Sequence, residues 1–110
     1  MGNHVYPKKK LIHLLRFAFD GERTRKDLSE VKPSKHLCLP IEVDQVTFKK
    51  HYHLVAVINH DGALNAGHYT TEYKDSTGQG WTHCNDSALI KKRRCNISPS
   101  LVYMLLYKAS

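Results

Sequence analysis

Apolar side chains in this chain occur in short blocks or alternate with polar ones, and the blocks are rich in Ile, Val, Leu and Tyr. Both features are typical of β-strands, and no segment shows the 3.6-residue period that predicts a helix. The blocks at 11–19 and 101–108 are apolar on both faces, so we expect them to be buried strands. The pattern predicts a mostly antiparallel sheet of about five or six strands, at 11–19, 36–39, 52–59, 68–74, 79–84 and 101–108.

Turn-forming residues separate the predicted strands. Asp20-Gly21 and Asp61-Gly62 are turn signals that end the first and third strands. Residues 22–40 are polar, basic and interrupted by prolines, and we interpret them as an irregular connection that contains only the short strand at 36–39. Residues 75–78, Asp-Ser-Thr-Gly, predict a hairpin turn between the fourth and fifth strands.

This hairpin brings two chemically useful side chains together. With 75–78 as a four-residue loop, Lys74 pairs with Gln79 and, further along the strands, His68 pairs with Asn85. Directly opposed residues of an antiparallel pair point to the same face, with Cβ atoms about 4.5–5.5 Å apart. An imidazole and a carboxamide at that separation can form a hydrogen bond, as the base and its orienting residue do in a Cys-His-Asn site.

An ordinary polar pair at the end of a sheet would show the same pattern as a functional one. Two neighbouring residues favour a functional pair over an ordinary one. Gly67, directly before His68, permits close approach of a substrate to the backbone. Asp86, directly after Asn85, adds a carboxylate near the same edge.

Composition limits the class of protein. A chain of 110 residues is one domain or part of one, and 41% hydrophobic with 25% charged residues is typical of globular proteins. No apolar run approaches the roughly 18–20 residues of a membrane span, and the first residues lack the apolar region of a secretion signal. We therefore expect a soluble protein of the cytoplasm, the nucleus or both, with no membrane partner. Three cysteines are too few for a disulfide scaffold or a four-thiolate zinc site.

The excess positive charge, +7 from 17 Lys+Arg against 10 Asp+Glu, is concentrated in clusters. We interpret the clusters as solvated loop ends. Nucleic acid is the alternative partner, and it would reveal itself by a steep loss of affinity with salt, but no cluster is interleaved with aromatic stacking residues. The last cluster also matches a short nuclear-localisation patch. The clusters are 8–10, 23–26, 49–50 and 91–94.

Motifs occur along most of the chain in a fixed order. Residues 52–62 are Tyr-His-Leu-Val-Ala-Val-Ile-Asn-His-Asp-Gly and residues 67–70 are Gly-His-Tyr-Thr, followed by Trp81 and by Asn-Asp-Ser at 85–87. Together they resemble the histidine box of the ubiquitin-specific proteases. Leu-Ile-His-Leu-Leu-Arg-Phe, at the start of the first predicted strand, resembles an earlier strand of that family, and Val-Tyr-Met-Leu-Leu-Tyr near the end resembles its closing strand.

The resemblance implies a fold and a domain organisation. The fold class is α+β, predominantly antiparallel β, corresponding to the palm-like sheet of a papain-like ubiquitin-specific protease without its helical thumb. Residues 1–10 are then a basic N-terminal tail, and 11–108 are the C-terminal part of a catalytic domain. The family hydrolyses the isopeptide bond at the C-terminus of ubiquitin as a thiol protease, which makes ubiquitin or a ubiquitinated protein the expected partner.

The resemblance also assigns roles to residues. His68 matches the general base, Asn85 the residue that orients it, and Asp86 an adjacent acid that polarises the site. The positions that match substrate-binding residues are His60, Gly67 and Tyr69. No cofactor and no metal ion are implied.

The family's nucleophile segment, roughly G-L-x-N-x-G-N-T-C-Y, has no counterpart in this sequence. Cys38 alternates with apolar residues, which favours a small core-facing side chain. Cys84 stands where the family usually has an aromatic residue, so the resemblance implies a core-facing side chain there as well. Cys95 follows a basic run that would lower its thiol pKa somewhat, but it lies outside the family's motifs. We therefore identify no nucleophile, and we expect the chain to be inactive alone and to need a chain or segment that supplies the thumb.

Two alternatives remain open. A non-catalytic ubiquitin-binding or scaffold module derived from the same domain would keep ubiquitin binding but perform no thiol chemistry, and His68→Ala would leave its binding nearly intact. A metal site would use some of the eight histidines, such as His51 and His53 on one strand face. However, their spacing matches no closed metal site, and we do not expect one.

Overall fold

The computed structural model describes residues 8–21, 23–64, 66–95 and 97–110, except for the side chains of residues 19, 20 and 23. Within them the chain forms β-strands and no helix, and therefore no helix that could cross a membrane. The strands are β1 (Lys9–His13), β2 (Phe17–Asp20), β3 (Arg23–Lys26), β4 (His36–Val43), β5 (Val46–Asp61), β6 (His68–Lys74), β7 (Trp81–Asn85), β8 (Ala88–Lys92) and β9 (Val102–Ala109).

Seven of these strands form one antiparallel sheet. Its order is β1-β9-β5-β6-β7-β8, and β4 pairs with the first half of β5, whereas β2 and β3 form a separate two-stranded hairpin. The prediction of a predominantly antiparallel β fold is confirmed, and the described residues contribute no α part to it. β6 has the predicted bounds, and β9 is shifted by one residue from its prediction.

The core lies on one face of the central strands β5 and β9. Tyr52, Leu54 and Val57 of β5 pack there with residues of β9, and all of them are buried. A β-bulge between Leu54 and Ala56 shifts the register, so that Leu54 and Val57 are both buried although three positions separate them. The contributing residues of β9 are Val102, Leu105 and Tyr107.

The block at 11–19 is not the single buried strand that its apolar pattern predicts. It divides into β1 and β2, because the chain leaves the sheet at 14–16, and the side chain of Leu11 is 62% exposed. β1 is an edge strand that pairs only with β9 among the described strands. The side chains of β1 alternate between exposed and half-buried, because only one face of the strand packs against the rest of the protein.

The connection predicted at 22–40 is also more ordered than expected. It contains β3 and the first half of β4, and β4 continues through Pro40 to the turn at Asp44-Gln45. Proline is tolerated there because β4 has a partner on only one side. Both turn residues have positive φ, 52° and 66°, as a tight two-residue hairpin requires.

β8 and the positions of the basic clusters were not predicted. The clusters lie largely in β1, β3, β5 and β8 and are not loop ends, so that part of our interpretation is wrong. β1, β8 and the half of β5 that pairs with β4 lie at edges of the described sheet, and β3 belongs to the separate hairpin. One face of these strands meets solvent. Residues 1–7 of the predicted tail lie outside the described residues, whereas Lys9 and Lys10 begin β1.

Candidate functional site

The ends of three neighbouring strands meet at one edge of the sheet and place the predicted residues there. His68 is the first residue of β6 and pairs with Asp61, the last residue of β5. Asn85 is the last residue of β7. Because adjacent strands are antiparallel, the start of β6 lies beside the ends of β5 and β7.

His68 and Asn85 form a hydrogen bond in which Nε2 of the imidazole lies 2.6 Å from Oδ1 of the carboxamide. A carbonyl oxygen only accepts, so Nε2 carries the hydrogen and donates it. In the neutral ring Nδ1 then holds a free lone pair. Both side chains are exposed, so this nitrogen is available to accept a proton from a group outside the described chain.

The hydrogen bond was predicted from the hairpin, but the predicted register is wrong by two residues. Lys74 pairs with Trp81 and Tyr73 with Thr82, so the loop runs from Asp75 to Gly80. Asp75 closes this longer loop, since its backbone N–H donates to the Gly80 carbonyl at 2.9 Å. His68 and Asn85 are therefore diagonal neighbours rather than directly opposed, but a shift of two keeps them on the same face.

Gly67 lies directly against the ring of His60. A Cβ atom on Gly67 would collide with Nε2 of His60 and would lie 2.7 Å from the carbonyl oxygen of Ala63. Glycine is therefore required by packing at the residue that precedes His68. This contact fixes the path of the backbone into β6.

His60 is fully buried, so its side chain offers no surface to a substrate in this structure. Lys26 reaches it from β3, with Nζ 3.1 Å from Nδ1 of the ring and 2.8 Å from the His60 carbonyl oxygen. Because the ammonium donates to Nδ1, the neutral ring carries its hydrogen on Nε2, which has no hydrogen-bond partner among the described atoms. The predicted substrate contact of His60 stays a prediction.

Burial and charge both keep the His60 ring neutral. Burial lowers the pKa of His60 most, the Lys26 ammonium lowers it further, and the carboxylate of Asp61 opposes both effects. Burial also lowers the pKa of Lys26, although the charge of Asp61 raises it. The neutral ring is therefore the form that the folded chain favours.

An aromatic cluster joins His60 to the predicted substrate-binding residue Tyr69. The two ring centroids are 4.6 Å apart, and Tyr103 lies 5.5 Å from His60 and 5.9 Å from Tyr69. The ring of Phe17 meets His60 edge-on at 5.4 Å. Tyr69 is nevertheless 48% exposed, so it combines a supported ring with an accessible surface.

Asp86 occupies the two-residue turn between β7 and β8 and has a φ of 54°. Its backbone carbonyl accepts a hydrogen bond from Sγ of Cys84 at 3.4 Å. Asp86 is exposed beside Asn85, but its carboxylate forms no hydrogen bond or ion pair with His68 among the described residues. Its predicted polarising role stays a prediction.

The structural role of Arg16 was not predicted from the sequence. The side chain is 4% exposed, and its guanidinium donates to four backbone carbonyl groups, three of them at 2.9 Å. These contacts join the segment between β1 and β2 to the chain after β3 and to the segment that leads into β9. Five donors in a planar fork allow one side chain to do this. The acceptors are Asp27, Ser29, Pro99 and Val102.

The three cysteines lie on different elements, Cys38 on β4, Cys84 in β7 and Cys95 after β8. Cys38 is exposed on β4, not in the core as predicted, because alternate residues of this edge strand face solvent. It pairs with His51, ten positions before Asp61 on β5, a distance of about 30 Å along the strand. Cys84 is half-buried and adjoins Asn85 in β7, so the two side chains point to opposite faces.

The pKa predicted for Cys95 is wrong in sign. Burial, followed by the neighbouring Glu72, raises the pKa of this thiol to about 12. The preceding basic run does not overcome these effects. Cys95 is therefore a protonated, half-buried side chain and a poor nucleophile.

Histidines do not cluster for metal binding in the described part of the chain. His53 lies on β5, where Nδ1 is 3.0 Å from Oγ of Ser110, and His51 is exposed two positions earlier. No three His, Cys, Asp or Glu side chains come together there in an arrangement that could hold a metal ion.

Comparison with known proteins identifies the family. The family model described as ubiquitin carboxyl-terminal hydrolase matches residues 4–107. Ubiquitin carboxyl-terminal hydrolase 2 of Homo sapiens is 35% identical over 105 residues, which cover 94% of this chain and 17% of that protein. Ubiquitin hydrolase B of Dictyostelium discoideum is 28% identical over 103 residues, covering 93% of this chain and 23% of that protein. The chain thus spans about a fifth of the length of these relatives.

Solved structures show the same fold. The SAGA Ubp8/Sgf11/Sus1/Sgf73 DUB module contains a chain that matches 94% of this one with a TM-score of 0.73, 24% identity and 24% of its own length covered. The same module bound to ubiquitin aldehyde gives a TM-score of 0.75 at 24% identity, covering 94% of this chain and 25% of that one. The family model and the 35% identical human relative, together covering almost the whole chain, show that this chain belongs to the ubiquitin carboxyl-terminal hydrolase family.

Proposed function

We propose that this chain supplies the general base, its orienting residue and part of the substrate channel of a ubiquitin-cleaving thiol protease site. The observation that carries the proposal is the 2.6 Å hydrogen bond between Nε2 of His68 and Oδ1 of Asn85 at an exposed sheet edge. It leaves Nδ1 of His68 as the proton acceptor. That nitrogen takes the proton of an attacking thiol and later returns it to the leaving amine.

The substrate channel follows from the surroundings of His68. Gly67 has no side chain and packs against His60, so an extended peptide can approach its backbone closely. Tyr69 presents an exposed ring that His60 and Tyr103 hold in place. These features suit the narrow C-terminal tail of ubiquitin, and we propose ubiquitin or a ubiquitinated protein as the partner.

The nucleophile comes from outside these 110 residues. The positions of Cys38, Cys84 and Cys95 support this, because one is remote, one faces away and one has a strongly raised pKa. Alone, the chain binds ubiquitin without cleaving it. Its sheet then corresponds to the palm of the family's catalytic domain, with the helical thumb supplied by another chain or segment.

Exposed leucines support the need for a further segment. Leu15 is 87% exposed and Leu28 is 59% exposed. Leu15 precedes Arg16, and Leu28 lies between Asp27 and Ser29, whose carbonyl groups accept hydrogen bonds from Arg16. Large exposed apolar side chains are candidates for contact with other polypeptide.

Ubiquitin titration of the isotope-labelled chain, followed by NMR, tests the binding part of the proposal. We expect the amide signals of Gly67, Tyr69 and Asn85 to shift with intact ubiquitin and not with ubiquitin lacking its C-terminal tail. Tyr69→Ala weakens binding, whereas Tyr73→Ala, at a partly exposed position near the far end of the same strand, leaves it unchanged. Equal effects of the two substitutions would contradict the proposed channel.

Ubiquitin with a thiol-reactive group at its C-terminus tests the origin of the nucleophile. We expect no covalent adduct by intact mass with the folded chain. An adduct that disappears on replacement of one cysteine by serine would show that the chain contains its own nucleophile.

A chimera distinguishes a protease part from a non-catalytic scaffold, the second candidate, which the positions of the cysteines also favour. Residues 8–109 replace the matching segment of the human relative, and hydrolysis of a ubiquitin–fluorophore conjugate is measured. An active chimera that loses about 10²-fold or more of kcat on His68→Ala supports the base assignment. A chimera that binds ubiquitin but hydrolyses nothing supports the scaffold.

A further inference from the structure

A second concave site lies at the opposite end of the sheet from His68. It is a cleft of about 200 Å³ between the starts of β4 and β7, the middle of β5, the end of β6 and the segment after β8. His53 in its wall is eight positions before Asp61, the partner of His68, a distance of about 25 Å along β5. The cleft is therefore separate from the proposed ubiquitin channel.

Charge in this cleft is of one sign. Four permanent cations line it, and no carboxylate is among its described lining residues. His36 and His53, which pair directly across β4 and β5, add two imidazoles. The cations are Lys35, Lys74, Arg93 and Arg94.

The pKa of His53 is lowered by burial first and by its positive surroundings second. The charges that lower it are those of Lys74, Lys108 and His36. No anionic group in the described part opposes these charges at His53. Arg93 and Arg94 are exposed and form no salt bridge within the described residues, so their guanidinium groups are free to bind an external anion.

Glu72 is a buried carboxylate beside the cleft, and it has ion-pair partners outside the cleft lining. Oε1 of Glu72 is 3.2 Å from Nδ1 of His83 and 3.3 Å from Nζ of Lys92. Glu72 also contributes to raising the pKa of Cys95, so the thiol in the cleft wall stays neutral. Glu72 thus lies beside Cys95 in the cleft wall and offsets part of the positive charge, but the four lining cations outnumber it.

The floor of the cleft is apolar. Leu54 belongs to the buried core, and Trp81 and Ile97 pack against that core from the cleft side. The volume is below the roughly 300–1,000 Å³ of pockets for drug-sized ligands, and it suits a single side chain. A phosphate group would bind the cations but would leave the apolar floor uncovered.

We propose that the cleft binds an acidic peptide segment of a partner protein, with one apolar side chain on Leu54, Trp81 and Ile97 and flanking carboxylates on the four cations. Arginine binds carboxylates through two parallel hydrogen bonds, which gives the rim specificity as well as charge. An apolar side chain buries the floor that water otherwise contacts. This binding is independent of the ubiquitin channel and of the source of the nucleophile.

Trp81 provides a direct readout, because it is the single tryptophan of the chain and lies in the cleft. The probe is the blocked peptide Glu-Asp-Leu-Asp-Glu, titrated while the tryptophan emission is recorded. We expect a saturable change in emission. A peptide with Ser in place of Leu, and one with Gln and Asn in place of the acids, each bind at least about tenfold more weakly.

Two double variants of equal charge test the position of the site. Arg93→Gln/Arg94→Gln should weaken the peptide about tenfold, the effect of losing one charge-assisted hydrogen bond. The control, Lys8→Gln/Lys49→Gln, removes two exposed positive charges elsewhere and should change the affinity less than twofold. Far-UV circular dichroism establishes that both variants are folded.

Three outcomes would overturn the proposal. Equal weakening by the two double variants would show unspecific attraction to a basic protein. Competition by inorganic phosphate as effective as by the peptide, with no benefit from Leu, would show a site for small anions only. Stronger binding of single-stranded RNA or anionic lipid vesicles than of the peptide, lost in the arginine variant, would assign the cleft to another class of partner.

Discussion

The two ends of the sheet hold their polar groups in opposite ways. At the His68 end the polar side chains form hydrogen bonds with other groups of the chain. Arg16 donates to four backbone carbonyl groups, and Lys26 donates to the ring of His60. Asn85 accepts a hydrogen bond from His68. At the cleft end Arg93 and Arg94 extend into solvent without an ion-pair partner in the described part.

The difference indicates how each end interacts with a partner. A catalytic group needs a fixed orientation before substrate arrives, so its support is built in advance. Unpaired surface cations gain most from an external anion, because they lose no internal partner on binding. Substitutions at the two ends should therefore differ in what they damage.

The largest effect should come from removing the buried guanidinium. We expect Arg16→Met to lower the free energy of unfolding by about 3–5 kcal/mol, because four carbonyl groups lose their donor. Urea denaturation measures the change. Arg25→Met, on the exposed face of β3, is the control and should cost less than about 0.5 kcal/mol. Similar losses of stability for the two variants would show that the hydrogen bonds of the Arg16 guanidinium do not stabilise the fold.

Gly67→Ala should have the next largest effect. The added methyl group collides with His60, and we expect a loss of about 1–3 kcal/mol together with a shifted NMR signal of the His68 ring. In a His60→Ala background the same substitution should cost less, because only the close approach to the Ala63 carbonyl oxygen remains, and a double-mutant cycle measures the difference as a coupling energy. A coupling energy of zero would show that the two residues do not contact each other in solution.

Acidification should lower the free energy of unfolding through one histidine at each end of the sheet, His60 and His53. Folding lowers the pKa of His60 and of His53, so the unfolded chain binds protons more readily than the folded one. Stability is then fully present above pH of about 6.5 and decreases as the pH falls below it, by at most about 1.4 kcal/mol per pH unit for each group.

Single variants separate the two contributions. Urea denaturation between pH 7.5 and 5 should give a shallower pH dependence for His60→Gln and for His53→Gln than for the unmodified chain. A slope that neither substitution changes would place the responsible groups elsewhere.

The smallest effect on stability should come from the candidate catalytic pair itself. His68 and Asn85 are exposed, so His68→Ala and Asn85→Ala should each change the free energy of unfolding by less than about 0.5 kcal/mol. Tyr69→Ala should cost more, because that ring contacts His60 and Tyr103. A loss above about 1 kcal/mol for His68→Ala would show that the pair also holds the strand ends together.

The hydrogen bond between His68 and Asn85 could be predicted from sequence because it requires only that both side chains point to the same face of the sheet. A register error of an even number of positions does not change that face. Asp75 lengthens the loop to six residues, through contacts that the residue types alone do not specify. The error of two positions kept both side chains on one face. An error of one would have separated them.

Features set by single side chains could not be predicted. The break between β1 and β2 depends on the buried contacts of Arg16, and the bulge after Leu54 changes which residues of β5 face the core. Cys38 alternates with apolar residues as a core position would, but its side chain lies on the exposed face of β4. Local pattern does not contain this information, because the packing of the rest of the chain decides which face of a strand is covered.

The order of strands constrains when the chain can fold during synthesis. β9 separates β1 from β5, so among the described strands β1 has no partner until β9 is available. Half of the buried core also belongs to β9. A ribosome-bound chain that ends before Val102 therefore exposes Tyr52, Leu54 and Val57 to solvent, and stable folding must follow the emergence of β9 from the ribosome.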